Sequence, residues 1–134
     1  MTAEEGKHRV AALLGTYFDI DPNDRFWVIG FDTVRVVVDV TADRGAPLVR
    51  MGALLIEGVA KSPALLEALN EINSDLGAGR VYWAPDGSIS IEETLFAETI
   101  EGPTLMTFLS LVGRSGDTYA NQLYRTFGGS VASA

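Results

Sequence analysis

Apolar residues recur along the chain with two different spacings, and these spacings predict its secondary structure. Between Ser62 and Gly77, leucine and isoleucine follow the i, i+3, i+4, i+7 spacing of one helical face. Ser62 is a favoured N-cap, Pro63 fits the first helical position, and Gly77 is expected to end the helix in the left-handed conformation. The segment therefore predicts an amphipathic helix with one buried face.

The residues after this helix predict an antiparallel hairpin. Two runs that can pair, within residues 80–96, are separated by Ala84-Pro85-Asp86-Gly87. Pro85 stands where a type I turn needs φ near about −65°, and Gly87 stands where a positive φ is easily adopted. The turn is therefore encoded by its own residues.

Three more strands are predicted before the helix, at residues 25–30 (RFWVIG), 33–40 (TVRVVVDV) and 48–57 (LVRMGALLIE). The first link is short enough for a tight hairpin, and the second, 41–47, is a longer polar turn. In the third run apolar residues occupy both faces. We therefore expect its second face to be covered, by a dimer partner or a ligand.

Amphipathic helices are predicted at both ends of the chain. Thr2 and Glu5 have the capping-box spacing, and the first helix ends before the polar loop at 19–24. The last helix begins at about Pro103 and contains Gly113 and Gly116, each of which weakens a helix by about 1 kcal/mol relative to alanine. The pattern leaves open whether this helix bends there.

The element order is thus αβββαββα, which predicts an α+β domain with one five-stranded antiparallel sheet packed with helices. The 134 residues are enough for one domain, expected at residues 1–129, followed by a flexible tail at 130–134. Hydrophobic residues make up 47% of the chain, which supplies ample material for a core.

Composition excludes several classes of function. The chain has 18 acidic and 10 basic residues and a net charge of −8, which disfavours nucleic-acid binding. It contains no cysteine, which excludes disulfides, thiolate metal sites and cysteine nucleophiles. No apolar run approaches the roughly 20 residues that span a bilayer, and the N-terminus lacks a signal-peptide pattern. We expect a cytoplasmic protein that binds neither nucleic acid nor membrane.

Candidate metal and catalytic residues do not form a recognisable site. Asp19, Asp21 and Asn23 match the start of a calcium loop, but the positions for its glycine and its bidentate glutamate hold Asp24 and Gly30. The better interpretation of this stretch is a helix-ending turn.

The remaining polar and aromatic candidates have simpler structural interpretations. His8, the only histidine, lies off the apolar stripe of its helix without a nucleophile to activate. An acidic cluster is better explained as a solvated face than as paired carboxylates, and the two tryptophans as packing rather than ligand platforms. The cluster consists of Glu92, Glu93, Glu98 and Glu101, and the tryptophans are Trp27 and Trp83. We therefore predict no enzyme, no catalytic residues, no metal and no cofactor.

Several motifs, taken in order, resemble the YbjN-like proteins, which share the fold of class I type III secretion chaperones. They are Leu69-Asn70-Glu71-Ile72-Asn73, Gly79-Arg80-Val81-Tyr82, Pro85-Asp86-Gly87-Ser88-Ile89, Asp117-x-Tyr119, Leu123 and Phe127-Gly128-Gly129. The resemblance implies a small acidic bacterial protein that dimerises and holds a partner polypeptide in extended form along apolar patches. It implies no catalytic residues.

The leading hypothesis is a non-enzymatic, chaperone-like homodimer that binds a client peptide or protein. The client would place apolar side chains in shallow grooves or add as a strand at an open sheet edge. An alternative is a regulatory adaptor or sensor that binds a small ligand. The candidate client-binding residues are Tyr17, Phe18, Phe26, Trp27, Ile29 and Val37, and the competing interpretation is that all six belong to the core.

Overall fold

A computed structural model describes residues 1–131 of the chain. Its elements are α1 (Ala3–Tyr17), β1 (Trp27–Gly30), β2 (Arg35–Asp43), β3 (Ala46–Glu57), α2 (Pro63–Asp75), β4 (Arg80–Trp83), β5 (Ile89–Phe96), α3 (Gly102–Phe127) and β6 (Ser130–Val131). The αβββαββα order is confirmed, with a short strand added after the last helix.

All strands pair antiparallel in a single sheet of order β1-β2-β3-β5-β4. The five predicted strands form this path, and β6 adds a sixth by pairing with the end of β3. Ser130 and Val131, expected in the tail, therefore belong to the sheet, whereas residues 132–134 lie outside the described residues.

Helices α1 and α3 pack against one face of the sheet. That face supplies the buried core from alternate strand positions, for example Val36, Val38, Met51 and Ile91. The residues between them point to the opposite face, here called the helix-free face. Across the sheet it carries Val28, Gly30, Arg35, Val37, Asp39, Thr41, Asp43, Ala46, Leu48, Arg50, Gly52, Leu54, Arg80, Tyr82, Ser90, Glu92, Thr94 and Phe96.

The two-sided apolar pattern of β3 has a local explanation at its end. The pairing with β5 shifts between Leu54 and Ile56, and Ile56 is fully buried. Leu48 and Leu54 stay half-buried on the helix-free face. One bulge therefore accounts for the burial of Ile56 without a partner molecule.

The predicted N-caps and the predicted hairpin turn are confirmed. Thr2 and Glu5 form a reciprocal capping box, and the Ser62 hydroxyl accepts the Leu65 N–H at 3.1 Å. In the hairpin turn the Gly87 N–H donates to the Ala84 carbonyl at 2.9 Å, and Gly87 has a φ of +87°. These local signals were sufficient because each bonds within its own segment.

Two local predictions were wrong. Gly77 does not end α2 in the left-handed conformation; the helix stops at an extended Leu76, and Gly79 takes the positive φ instead. The turn between β2 and β3 is not long, since only Arg44 and Gly45 separate the strands, both with positive φ. That pair matches the twist of adjacent strands, so both strands extend further than predicted.

Helix α3 is continuous through Gly113 and Gly116. A Cβ at Gly113 would lie 2.2 Å from the Phe31 ring, and one at Gly116 would lie 2.9 Å from Val34. The glycines therefore let the β1–β2 turn pack directly against the helix backbone. Packing stabilises a helix that propensity alone would weaken at both positions.

Asp117 fastens the same turn to α3. Its carboxylate accepts the backbone N–H groups of Asp32, Thr33 and Val34 at 3.1, 2.7 and 3.0 Å. One side chain thus satisfies three successive donors that have no strand partner, and it fixes β1 and β2 relative to the helix.

Candidate functional site at the open edge of the sheet

The two edges of the sheet differ in whether their backbone groups are satisfied. At the β4 edge the Asn73 side chain of α2 accepts the Val81 N–H at 2.7 Å and donates to the Val81 carbonyl at 3.0 Å. This amide bonds Val81 as a neighbouring strand would. Helix α2 therefore closes the β4 edge at Val81.

The opposite edge, formed by β1, is open: in residues 1–131 no strand pairs with its outer side. The Phe31 N–H donates to the Val34 carbonyl at 2.9 Å, which marks these residues as a hydrogen-bonded pair. Because such pairs alternate along antiparallel strands, the N–H and C=O groups of Val28 and Gly30 point away from β2. Two residues thus offer unpaired backbone groups to an incoming strand.

Apolar side chains lie next to these backbone groups. Phe26, Val28 and Val37 are 51%, 45% and 38% exposed, and Val28 is paired directly with Val37 across β1 and β2. We call these three residues the edge patch. Exposed apolar side chains beside an open strand edge are a feature that soluble proteins usually avoid, so the combination indicates a binding surface.

A surface groove of about 580 Å³ continues from the edge patch into the preceding loop. It is lined by Asp19, Ile20, Asp21, Asp24 and Arg25 in addition to residues 26–28. Three carboxylates against one guanidinium make this end of the edge acidic. A segment lying along β1 would meet negative charge beyond Phe26.

The helix-free face is close to neutral in an otherwise acidic chain. It carries three arginines, Arg35, Arg50 and Arg80, and three carboxylates, Asp39, Asp43 and Glu92. Asp39 is 3.8 Å from Arg50, and Glu92 accepts the Tyr82 hydroxyl at 3.1 Å. Burial, and then the Glu92 carboxylate, raise the pKa of Tyr82 above its ordinary value.

The structure separates the six residues proposed from the sequence. Phe26 and Val37 lie in the edge patch, whereas Tyr17 is exposed at the end of α1, where its ring covers Gly102. Phe18 is half-buried and packs on the core. Trp27 and Ile29 are core residues, 2% and 8% exposed, and the Trp27 indole N–H donates to the Asp21 carbonyl. Trp27 and Ile29 therefore lie where the competing interpretation placed them, in the core, because alternate side chains of β1 point toward the helices.

Sequence reasoning missed Val28, whose side chain lies on the helix-free face and whose backbone groups point to the open edge. The sequence did contain a signal for Val28, because it lies between Trp27 and Ile29, which were both proposed as binding residues. Since successive side chains of a strand point to opposite faces, a core position for these two neighbours predicts an exposed Val28.

The polar residues considered from the sequence lie apart from this edge or in local turns. His8 is exposed and pairs with Glu4 at 3.1 Å, and Asp21 accepts the Asn23 N–H within its own turn at 2.9 Å. Glu93 accepts the Gly79 N–H. Within residues 1–131 no three His, Cys, Asp or Glu residues are placed to hold a metal ion.

The chain matches a known protein family along nearly its whole length. A family model named TY-Chap1, described as "T3SS (YopN, CesT) and YbjN peptide-binding chaperone 1", matches residues 4–134. The chain belongs to the TY-Chap1 family. As a member of a chaperone family it is a non-enzymatic, peptide-binding type of protein, as the motifs in its sequence predicted.

Two solved structures confirm the predicted type III secretion chaperone-like fold. The chain is similar to a protein in the crystal structure of the ExsC–ExsE complex, with a TM-score of 0.60, 13% identity, and coverage of 95% of this chain and 97% of that one. It is also similar to a chain of the heterodimeric ExoU–SpcU complex from the type III secretion system of Pseudomonas aeruginosa. There the TM-score is 0.62, the identity 11%, and the coverage 88% and 98%.

No curated protein matches this TY-Chap1 chain. Among residues 1–131, no helix combines the length and apolarity needed to cross a membrane.

Proposed function

We propose that this protein is a cytoplasmic chaperone-like module that binds a client polypeptide in extended form at the open edge of β1. The observation that carries the proposal is the coincidence, in a peptide-binding chaperone family, of unpaired backbone groups and the edge patch at the same strand. The client would add as a strand beside β1 and lay alternate apolar side chains against Phe26, Val28 and Val37.

The two parts of this surface contribute differently. Backbone groups of Val28 and Gly30 supply hydrogen bonds that any extended segment can make, which gives affinity without sequence preference. The edge patch favours clients with apolar residues two positions apart, since alternate side chains of a strand share a face. Burial of apolar area contributes about 25 cal/mol per Å² before the ordering of the client is subtracted.

The test is capture of a specific client by the tagged protein from its native extract, followed by affinity measurement with the purified client. Val28→Lys removes an apolar contact at the edge and places a charge beside it, so we expect client binding to weaken about tenfold or more. Leu66→Lys is the matched control, because Leu66 is 43% exposed on α2, near the closed edge.

Both variants change exposed side chains, so both should keep the parent melting temperature. Equal client affinity in Val28→Lys and the parent would show that the client binds elsewhere. A purified protein that captures no specific polypeptide would contradict the chaperone proposal as a whole.

We further propose that the protein acts as a homodimer, as the sequence resemblance implied. Light scattering on the purified protein tests this independently of the client, because a dimer has twice the mass of the 14.4 kDa chain. A monomer at the working concentration would contradict the dimer and leave the open edge as the client site.

A further inference from the structure

Client selectivity at the open edge has a second determinant, which lies one strand behind it. Arg35 begins β2 and is paired with Gly30 of β1. Gly30 has no side chain, and no atom lies within 4 Å of the place where its Cβ would be. Between Arg35 and the open edge, therefore, no β1 side chain intervenes at this position of the helix-free face.

Arg35 is exposed, and within residues 1–131 no carboxylate lies within 4 Å of its guanidinium. Neighbouring strands are about 4.8 Å apart, so a strand added to β1 would lie about two spacings from β2. An arginine and a glutamate side chain together cover that distance, since both are long and flexible. Arg35 is thus placed to reach a residue of the added strand opposite Gly30.

We propose that the client segment carries a carboxylate that pairs with Arg35 across Gly30, two positions beyond an apolar residue that packs on Val28. This inference rests on the proposed function and names the client chemistry of the same site. Because Val28 and Gly30 both direct their backbone groups outward, the two client residues opposite them share the helix-free face. Counted from Val28 toward Gly30, the pattern is an apolar residue, any residue, and then aspartate or glutamate; in an antiparallel client strand the acidic residue comes first in the sequence.

Charge at the other end of the edge fixes the orientation. Asp19, Asp21 and Asp24 line the groove beyond Phe26, where a client carboxylate would be repelled. The acidic end of the segment therefore lies at Gly30, and the apolar positions lie over Val28 and Phe26. A client with the opposite charge at that position would lose the contact with Arg35.

The experiment uses two synthetic peptides of about eight residues, the usual length of a strand. Both alternate threonine with valine, and they differ only in a glutamate or a glutamine at the first outward position, which an antiparallel strand places opposite Gly30. Each is titrated to millimolar concentration into the isotope-labelled full chain, and the amide resonances of Val28 and Gly30 are followed by NMR. Arg35→Gln is the test variant.

Arg80→Gln is the matched control, because Arg80 lies on the same face at the closed edge. It removes the same charge far from β1. We expect the glutamate peptide to bind the parent protein about two- to fivefold more tightly than the glutamine peptide, as for an exposed ion pair. This preference should disappear in Arg35→Gln and persist in Arg80→Gln.

Equal binding of both peptides to the parent, with shifts at Val28 and Gly30, would overturn the acidic preference and leave strand addition standing. A preference that persists in Arg35→Gln would overturn the role of Arg35. If neither peptide shifts the two amides, both the inference and strand addition at this edge are overturned, while client capture through another surface would still be measured by the affinity experiment.

Discussion

Replacing Asp117 with alanine removes the single acceptor that holds the β1–β2 turn on α3. The Thr33 and Val34 donors are partly buried, whereas the Asp32 donor is exposed and can bond water when the carboxylate is gone. A hydrogen bond to a charged group contributes about 1.5–3 kcal/mol to stability, so the two lost bonds from Thr33 and Val34 determine the size of the loss. Partial access of water to the turn lowers this sum, and we expect destabilisation by about 3 kcal/mol.

The assay is unfolding by denaturant, monitored by circular dichroism. The denaturant concentrations at the midpoints are compared, provided that the free energy of unfolding depends on denaturant with the same slope in both proteins. Asp117→Asn keeps one acceptor oxygen and should lose about 1–2 kcal/mol. Asn121→Ala is a neighbouring control, since Asn121 bonds Thr33 and Asp117 only at the exposed helix surface, and it should change stability by less than about 0.5 kcal/mol. If Asp117→Ala changes the free energy of unfolding by less than about 0.5 kcal/mol, Asp117 does not hold the β1–β2 turn on α3.

Other predictions test the packing and the termini. Gly113→Ala should destabilise the fold by about 1–2 kcal/mol despite better helix propensity, and in a Phe31→Ala background the same change should become neutral or stabilising in the same unfolding assay. Asn73→Asp loses its donor to the β4 backbone and should cost about 1–2 kcal/mol, visible also as faster hydrogen exchange in β4. Trp27→Ala should cost about 3–5 kcal/mol, and a small loss would show that Trp27 is not core. Capping-box hydrogen bonds lower the pKa of Glu5 in the folded protein. Glu5 therefore stabilises the fold at pH values above its unfolded-state pKa, and this stabilisation is lost as pH falls through its folded-state pKa. An NMR pH titration should show the lowered pKa, and Glu5→Gln should abolish this pH dependence of stability.

The sequence predicted those parts of the fold whose causes are local. The capping box at Thr2, the Ser62 cap and the turn at Gly87 are each completed by residues a few positions apart. The exact position where α2 ends and the length of the β2–β3 turn were missed. In both cases several nearby residues could adopt the positive φ that the turn requires, and tertiary packing determines which of them does.

The continuity of α3 could not be predicted for a related reason. A glycine in a helix is unfavourable by propensity, and only the position of Phe31, far away in sequence, shows why Gly113 is required. The fold class needed no such information, because the order of elements and the family motifs agree with it.

The candidate site was predictable only in part. Phe26 and Val37, proposed from the sequence as client-binding residues, are exposed, but apolar residues on a strand do not reveal which face a helix covers. The closure of one edge by Asn73 depends on the spatial order of strands, which the sequence does not state. The open edge at β1 is defined only once that order is known.

Closing one edge of the sheet with Asn73 limits what self-association through strands can produce. A sheet with two open edges can pair with one copy on each side and propagate into a fibre, whereas a sheet with one open edge is used up by a single partner. Where Asn73 bonds Val81, β4 cannot add a second copy, so pairing through strands is directed to β1. A second copy and a client strand would then compete for β1, and client binding would itself protect the protein from pairing through that edge.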